Sequence, residues 1–223
     1  MVGICLFAPF SYSEAELFAL ASEEGVFDTF GGAQRDRIDG MSSLSSRMLS
    51  LGGLLALGRL CTALSDFEYD LSILRDKFGK PRFEDGRAPA FSIAHAHRLS
   101  VAAISDSADA LLGVDIERID TKRDIDRIAE KFFSEGEKQR LYSSPDKLRE
   151  FYSVWTAKEA MMKQGGEGMI SVMSSDSVKA EEQGERCFWR SAFLFEGEEY
   201  ILTLSTEKSE RVELLTLGDI KIK

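Results

Sequence analysis

The sequence predicts an α+β fold made of two similar halves. Three observations predict it. The chain has 223 residues, enough for one large domain or for two of about 110 residues each. Apolar residues make up 43% of it, enough to fill a buried core. Its predicted elements run strand, helices, strands, and then repeat that order, which is the layout of a pseudo-duplicated architecture. The expected division is 1–109 and 110–223.

Ile4–Phe7 reads as a first strand that ends before Pro9. Ser13 is placed to cap a helix running through Glu23 and Glu24, with Ala15, Phe18, Ala19 and Leu20 near one face. Gly31 and Gly32 break the chain, and 34–40 is charged and loop-like. A long helix is expected from about Ser43 to Leu64, because Leu44, Met48, Leu51, Leu55 and Leu60 recur at helical spacing. Within it, Gly52 and Gly53 invite a close neighbour. Phe67–Leu74 alternates enough to suggest a strand. Arg75 to Phe83 carries four cations and one acid.

Ala90–Ala94 and Leu99–Ser105 read as strands joined by His95-Ala96-His97-Arg98. Leu111–Glu117 is a further strand, and Asp124–Phe132 is helical. Ser134 and Glu137 have capping-box spacing. The next helix is expected from Pro145 to about Gln164, stopped by Gly165 and Gly166. The tail, Ser177–Leu217, is read as strand-rich with a turn at Gly197.

Composition narrows the function. With 38 acidic against 28 basic residues, the net charge is −10. A chain whose main task is to coat nucleic acid or anionic membrane needs a basic footprint, so neither partner is expected. His95 and His97 are the two histidines, which leaves carboxylates as the main ligands for any divalent ion. Cys5, Cys61 and Cys187 are far apart and form no Cys-x-x-Cys pair; they are expected to be reduced core thiols. Met1–Phe10 has no basic leader, and no apolar run reaches the ~20 residues of a membrane span. A soluble, cytoplasmic protein is expected. Phosphate-binding P-loop, dinucleotide-binding and nucleophile-elbow motifs do not occur.

Several segments could carry chemistry. On a strand, residues two apart share a face, so Asp115 and Glu117 present two carboxylates side by side. Such like charges suit a hard cation such as Mg²⁺ or Mn²⁺. A strand end turning to solvent, with Arg118 neutralising one acid, is the plainer reading of the same residues. On the helix that follows, Trp155, Glu159 and Lys163 share a face, with Lys158 on the adjacent row. A third acid can complete a carboxylate site and two lysines can offset phosphate charge. A solvated Glu159–Lys163 pair would account for those two residues equally. Lys80 and His95 lie in or near the local basic stretch and could bind phosphate. Glu137 has its capping role by default.

In combination, Gly113–Glu117, Phe133-Ser134-Glu135-Gly136-Glu137 and Trp155–Gly166 resemble the 4′-phosphopantetheinyl transferase superfamily. Gly79-Lys80-Pro81 and Phe91-Ser92-Ile93-Ala94-His95 resemble upstream elements of its long, surfactin-synthetase-activating (Sfp-type) branch. The resemblance covers about residues 75–178. It implies two similar α/β halves packed with pseudo-two-fold symmetry in one monomeric chain, with the site formed between them.

The reaction it implies moves phosphopantetheine from coenzyme A to a serine of an apo acyl or peptidyl carrier protein and releases 3′,5′-ADP. Mg²⁺ is the implied metal, Mn²⁺ its substitute, and coenzyme A the co-substrate. By the same resemblance, Asp115, Glu117 and Glu159 would be metal ligands. Lys158 and Lys163 would contact phosphates, with Lys163 steadying the leaving group. Lys80 and His95 would bind the nucleotide end; Arg47, with Arg35 or Arg37, would serve the 3′-phosphate. Glu137 would take the serine proton. Residues 1–109 would supply coenzyme A contacts, and 110–223 the metal site and catalytic helix. Ala94 and Ala96 depart from the family's serines on either side of the histidine. Two other functions share this residue set: a carboxylate-metal phosphohydrolase and a non-catalytic α+β interaction module.

Overall fold

Val2–Phe7 forms strand β1 and is buried at every position. An apolar run of this kind is what a central strand covered on both faces requires. The structure is a computed structural model, and it describes residues 1–64, 70–165 and 175–216. Contacts gather these residues into two units. One holds Met1–Ala110 and the strand Val212–Thr216; the other holds Leu111–Glu210.

In the first unit, β1 is followed by a 3-10 turn at Pro9–Ser11 and by helices α1 (Glu14–Glu23), α2 (Val26–Phe30), α3 (Ala33–Asp39) and α4 (Leu44–Ala63). Ser13 caps α1 in a reciprocal box with Glu16, and Ser43 caps α4. Each such cap contributes about 1 kcal/mol. The segment expected to be a loop at 34–40 is helix α3. Gln34 and Ile38 are buried on one face, and Arg35 pairs with Asp39 one turn on at 2.7 Å. Gln34 Nε2 also donates to the Ile73 carbonyl at 3.0 Å, so tertiary contact supplies what the polar composition hid.

Two short strands, β2 (Ile73–Arg75) and β3 (Pro81–Phe83), pair antiparallel. Of the strand expected over 67–74, the described residues 70–74 contribute Ile73 and Leu74 to β2, and 67–69 lie outside the described residues. Strands β4 (Phe91–Ala96) and β5 (Leu99–Ser105) form a hairpin turning at His97, whose φ is 52°. With β9 (Val212–Thr216) the main sheet runs β4-β5-β1-β9, β9 being parallel to β1. The boundary read at 109/110 had put this last strand in the second half. Helix α4 packs on β1, β4 and β5, close enough that a Cβ on Gly53 would lie 2.7 Å from Ile93 Cγ2. Burial raises the Cys5 and Cys61 thiols to about 12, so both stay protonated.

The second unit begins with β6 (Leu112–Arg118). Helices α5 (Ile125–Phe132), α6 (Glu135–Ser143) and α7 (Lys147–Gly165) follow, each started by an N-capping side chain: Asp124, Ser134 and Asp146. Gly166, expected to help stop α7, lies outside the described residues. The tail read as strand-rich opens instead with a helix, α8 (Ser177–Glu182), capped by Asp176. Strands β7 (Cys187–Phe195) and β8 (Glu198–Thr206) then turn at Glu196 and Gly197, and the sheet order is β6-β8-β7. A cluster centred on Phe133, Leu141, Phe151, Tyr152 and Val154 fills this unit's core. No helix among the described residues is long and apolar enough to cross a membrane.

Candidate active site

The site begins with a missing side chain. A Cβ on Gly113 would lie 2.0 Å from the Ala160 carbonyl oxygen and 2.5 Å from the Gln164 nitrogen. Glycine is therefore what lets the α7 backbone rest directly on β6. Buried polar contacts hold the helix in that place. Thr156 Oγ1 and Thr203 Oγ1 are 2.7 Å apart, Ser205 Oγ donates to Gln164 Oε1 at 2.6 Å, and Gln164 Nε2 donates to the Leu111 carbonyl at 3.1 Å. In a low-dielectric interior such satisfied bonds specify one register.

That register brings the acidic strand and the acidic-basic helix together. Lys163 Nζ lies 2.6 Å from Asp115 Oδ1, across 48 residues of sequence. Trp155 Nε1 donates to Glu117 Oε1 at 3.2 Å, and Arg123 Nη1 lies 3.6 Å from Glu117 Oε2. Glu159 joins the same electrostatic group. Burial, and then the Asp115 charge, hold the Glu117 and Glu159 carboxyls above the usual carboxylate range. Lys163 and Arg123 oppose that rise at both. Asp115 is itself 6% exposed.

In charge and oxygen chemistry, Asp115, Glu117 and Glu159 are of the type that could hold a hard divalent cation. Their present partners are the chain's own cations and an indole. Among the described residues, no three His, Cys, Asp or Glu side chains stand close enough to hold one metal ion together.

Glu137 and Lys158 lie elsewhere in this unit and are bound to each other. Lys158 Nζ is 2.8 Å from Glu137 Oε2 and also donates to the Ser175 carbonyl. The Ser177 N–H and hydroxyl both donate to Glu137 Oε1, at 2.8 and 2.6 Å. The Ser134 N–H completes the capping box on Oε2 at 2.9 Å. With side chains 0% and 1% exposed, neither residue reaches solvent. The substrate contacts that the motifs imply for them are not available in this arrangement.

In the first unit, Lys80 is half-buried in the β2–β3 turn, and burial pulls its ammonium below the usual lysine range, with Asp76 opposing. His95 is exposed on β4 opposite Ser100. Arg47 pairs with Glu14 and donates from Nη1 to the Met41 carbonyl at 2.8 Å, so much of its guanidinium is engaged. Arg37 donates from Nε to Gln34 Oε1 at 3.2 Å. Burial and then the Arg75 charge pull it below the usual arginine range.

The model of the 4′-phosphopantetheinyl transferase superfamily matches residues 111–209. That stretch is similar to the superfamily. The chain is also 36% identical over 110 residues to the 4′-phosphopantetheinyl transferase psf-1 of Bacillus pumilus, covering 48% of this chain and 45% of that one. It is 30% identical over 118 residues to the 4′-phosphopantetheinyl transferase Sfp of Bacillus subtilis, covering 52% and 50%. With the 4′-phosphopantetheinyl transferase AcpT of Salmonella typhi it shares 30% identity over 130 residues, 57% of this chain and 64% of that one. The chain spans about half the length of the first of these curated relatives. The similarity to Sfp and psf-1 agrees with the Sfp-type motifs.

The superfamily stretch contains Asp115, Glu117, Glu159 and Lys163, as well as the Glu137–Lys158 pair. Sequence reasoning missed Arg123, Ser177 and Thr203 as partners in these two groups. No motif spacing marks them: Arg123 sits in a turn, and Ser177 and Thr203 reach their partners across 40 and 47 residues. Trp155 was legible as sharing a face with Glu159, though its bond to Glu117 was not.

Proposed function

We propose that this chain is a 4′-phosphopantetheinyl transferase that moves phosphopantetheine from coenzyme A to a serine of an apo carrier protein. The observation that carries this reading is the Lys163–Asp115 contact, which sets a cation beside a carboxylate cluster within the superfamily stretch. In the proposed reaction the serine oxygen bonds to the phosphorus bearing pantetheine. The bond to 3′,5′-ADP breaks, and the hydroxyl proton passes to a base.

Asp115, Glu117 and Glu159 would hold Mg²⁺. When bound, the ion supplies positive charge to the pyrophosphate. Lys163, released from Asp115, meets the charge that develops on the leaving phosphate. Lys80 and His95 serve the nucleotide end. Arg47, with Arg35 or Arg37, meets the 3′-phosphate, which requires Arg47 to leave Glu14. Glu137 is the carboxylate the motif assigns to the proton, and that role requires its pair with Lys158 to open. Strand order supports the duplicated reading of the fold: β1-β5-β4 in one unit and β6-β8-β7 in the other share one connectivity. We place the protein in the cytoplasm, acting as a monomer on acyl or peptidyl carriers.

Intact-mass spectrometry tests the function. With coenzyme A and Mg²⁺ an apo carrier protein should gain ~340 Da, the mass of the transferred group. Release of phosphate or nucleotide from coenzyme A without any carrier, and no mass gain with one, would instead indicate a phosphohydrolase.

A further inference from the structure

Strand β7 stands at one edge of the sheet β6-β8-β7, and no described residue outside β8 hydrogen-bonds to its backbone. It meets β8 through a two-residue turn, Glu196-Gly197, whose φ values of 50° and 82° are both positive. Such a turn makes Phe195 and Glu198 a hydrogen-bonded pair, and bonded pairs recur at every second residue. The odd-numbered residues of β7 therefore bond to β8, while Phe188, Arg190, Ala192 and Leu194 aim their N–H and C=O groups outward. Natural edge strands are blunted by charge, proline or a bulge. β7 has nine residues in unbroken register with β8, no proline or glycine, and a single charge, Arg190. Its Leu194 is 55% exposed.

We propose that this edge pairs antiparallel with β7 of a second copy of this chain, about a two-fold axis at Ser191. The strand is complementary to itself in that register. Phe188 faces Leu194 of the second copy, Trp189 faces Phe193, and Cys187 faces Phe195, each pair occurring twice by symmetry. Arg190, the one charge, faces Ala192. Just beyond the strand, Arg186 faces Glu196, opposite in sign. The outward N–H and C=O groups of the two copies then satisfy each other, as in strand addition to a sheet edge. An axis at Arg190 would set two guanidinium groups face to face, and one at Ala192 would set Arg190 against Leu194. Charge and apolar pairing thus select the same register, the one that uses all nine residues. The proposal goes beyond the monomer placed above: each chain keeps its own Lys163–Asp115 group, and pairing joins two such chains.

Sedimentation velocity of the full chain tests this. An edge of nine residues buries less than a standard interface, so wild type should dimerise with a Kd of about 10–100 μM. Hydrogen exchange should show the β7 amides gaining protection as the dimer forms. Ser191→Lys and Ser191→Glu each set like charges against each other at the axis and should raise Kd about tenfold or more. An equal mixture of those two variants should associate again, because the charges at the axis are then opposite. Leu194→Lys, at an exposed position, should also weaken the dimer, and it decides the matter if circular dichroism shows either Ser191 variant to be unfolded. A wild type that is monomeric at about 200 μM overturns the inference and leaves the edge to a strand of another protein. So does a dimer that Ser191→Lys and Leu194→Lys leave intact, a mixture of folded Ser191 variants that stays monomeric, or a dimer whose β7 amides exchange as in the monomer.

Discussion

Lys158 and Glu137 form a fully buried ion pair, 2.8 Å apart, that ties α7 to α6. Two serines complete it: Ser177 from α8 and Ser134 from the α6 cap. One carboxylate thereby closes a helix cap, receives a second helix through Ser177 and neutralises a buried ammonium. A buried pair gains little over apolar residues of equal volume, but removing one partner strands the other.

From this pair follows the first prediction. Lys158→Met should lower stability by about 3–5 kcal/mol, because Glu137 is left as an unneutralised buried carboxylate. The double change Lys158→Met with Glu137→Leu should recover part of that loss. Urea unfolding of the three proteins measures both steps. A Lys158→Met protein as stable as wild type would show that the pair is solvated in solution.

Gly113→Ala should be more damaging than its size suggests. The added methyl would meet backbone atoms of α7 at 2.0 and 2.5 Å, and backbone cannot rotate aside as a side chain can. The helix must lift from the strand, at a cost of about 2–4 kcal/mol. Since Glu159 and Lys163 ride on that helix, binding of Mn²⁺ and coenzyme A should fall with stability. Calorimetry on the metal-free protein, with titration of each ligand, provides the check.

Glu159→Gln should separate stability from binding. The Glu159 and Glu117 carboxyls lie above their ordinary range, through burial first and then the Asp115 charge. A carboxyl raised in the folded state favours folding fully below its unfolded pKa, and that contribution is lost as pH rises through the folded value. Stability of the metal-free wild type should therefore decline across a window just above the usual carboxylate range. Much of this energy is screened by solvent. In the glutamine variant the decline should shrink, and above the window the midpoint of thermal unfolding should rise by about 1–3 °C. The same variant should lose the stabilisation that Mg²⁺ with coenzyme A gives to wild type. A lower midpoint in metal-free Glu159→Gln would contradict the repulsion.

Much of the second unit was legible because its signals are local. Ser134 and Glu137 sit three residues apart and cap α6 as their spacing implies. Asp115 and Glu117 share a strand face, with Val114 and Ile116 buried on the opposite one. Where the reading failed, the deciding contacts were distant. Helix α3 looked like a loop because its charges are outward, and its order comes from Gln34 reaching Ile73, 39 residues on. Helix α8 was hidden in a tail read as strands, and its Ser177 is held by Glu137 from 40 residues earlier. The last strand was assigned to the wrong half because nothing local shows that it will lie parallel to β1.

The two lysines of the α7 motif draw the line between sequence and structure. By itself the sequence determined that Lys158 and Lys163 lie on one helix with Glu159, because helical spacing is a local property. It also determined that the acids of β6 share a face, for the same reason of period. Only the tertiary structure decided which acid each lysine meets: Lys163 takes Asp115 at a half-open site, and Lys158 takes Glu137 in the core. The physical reason is the seating of α7. Gly113 lets the helix backbone touch β6, and Thr203 and Ser205 fix its register. That seating turns one lysine toward the carboxylate cluster and buries the other.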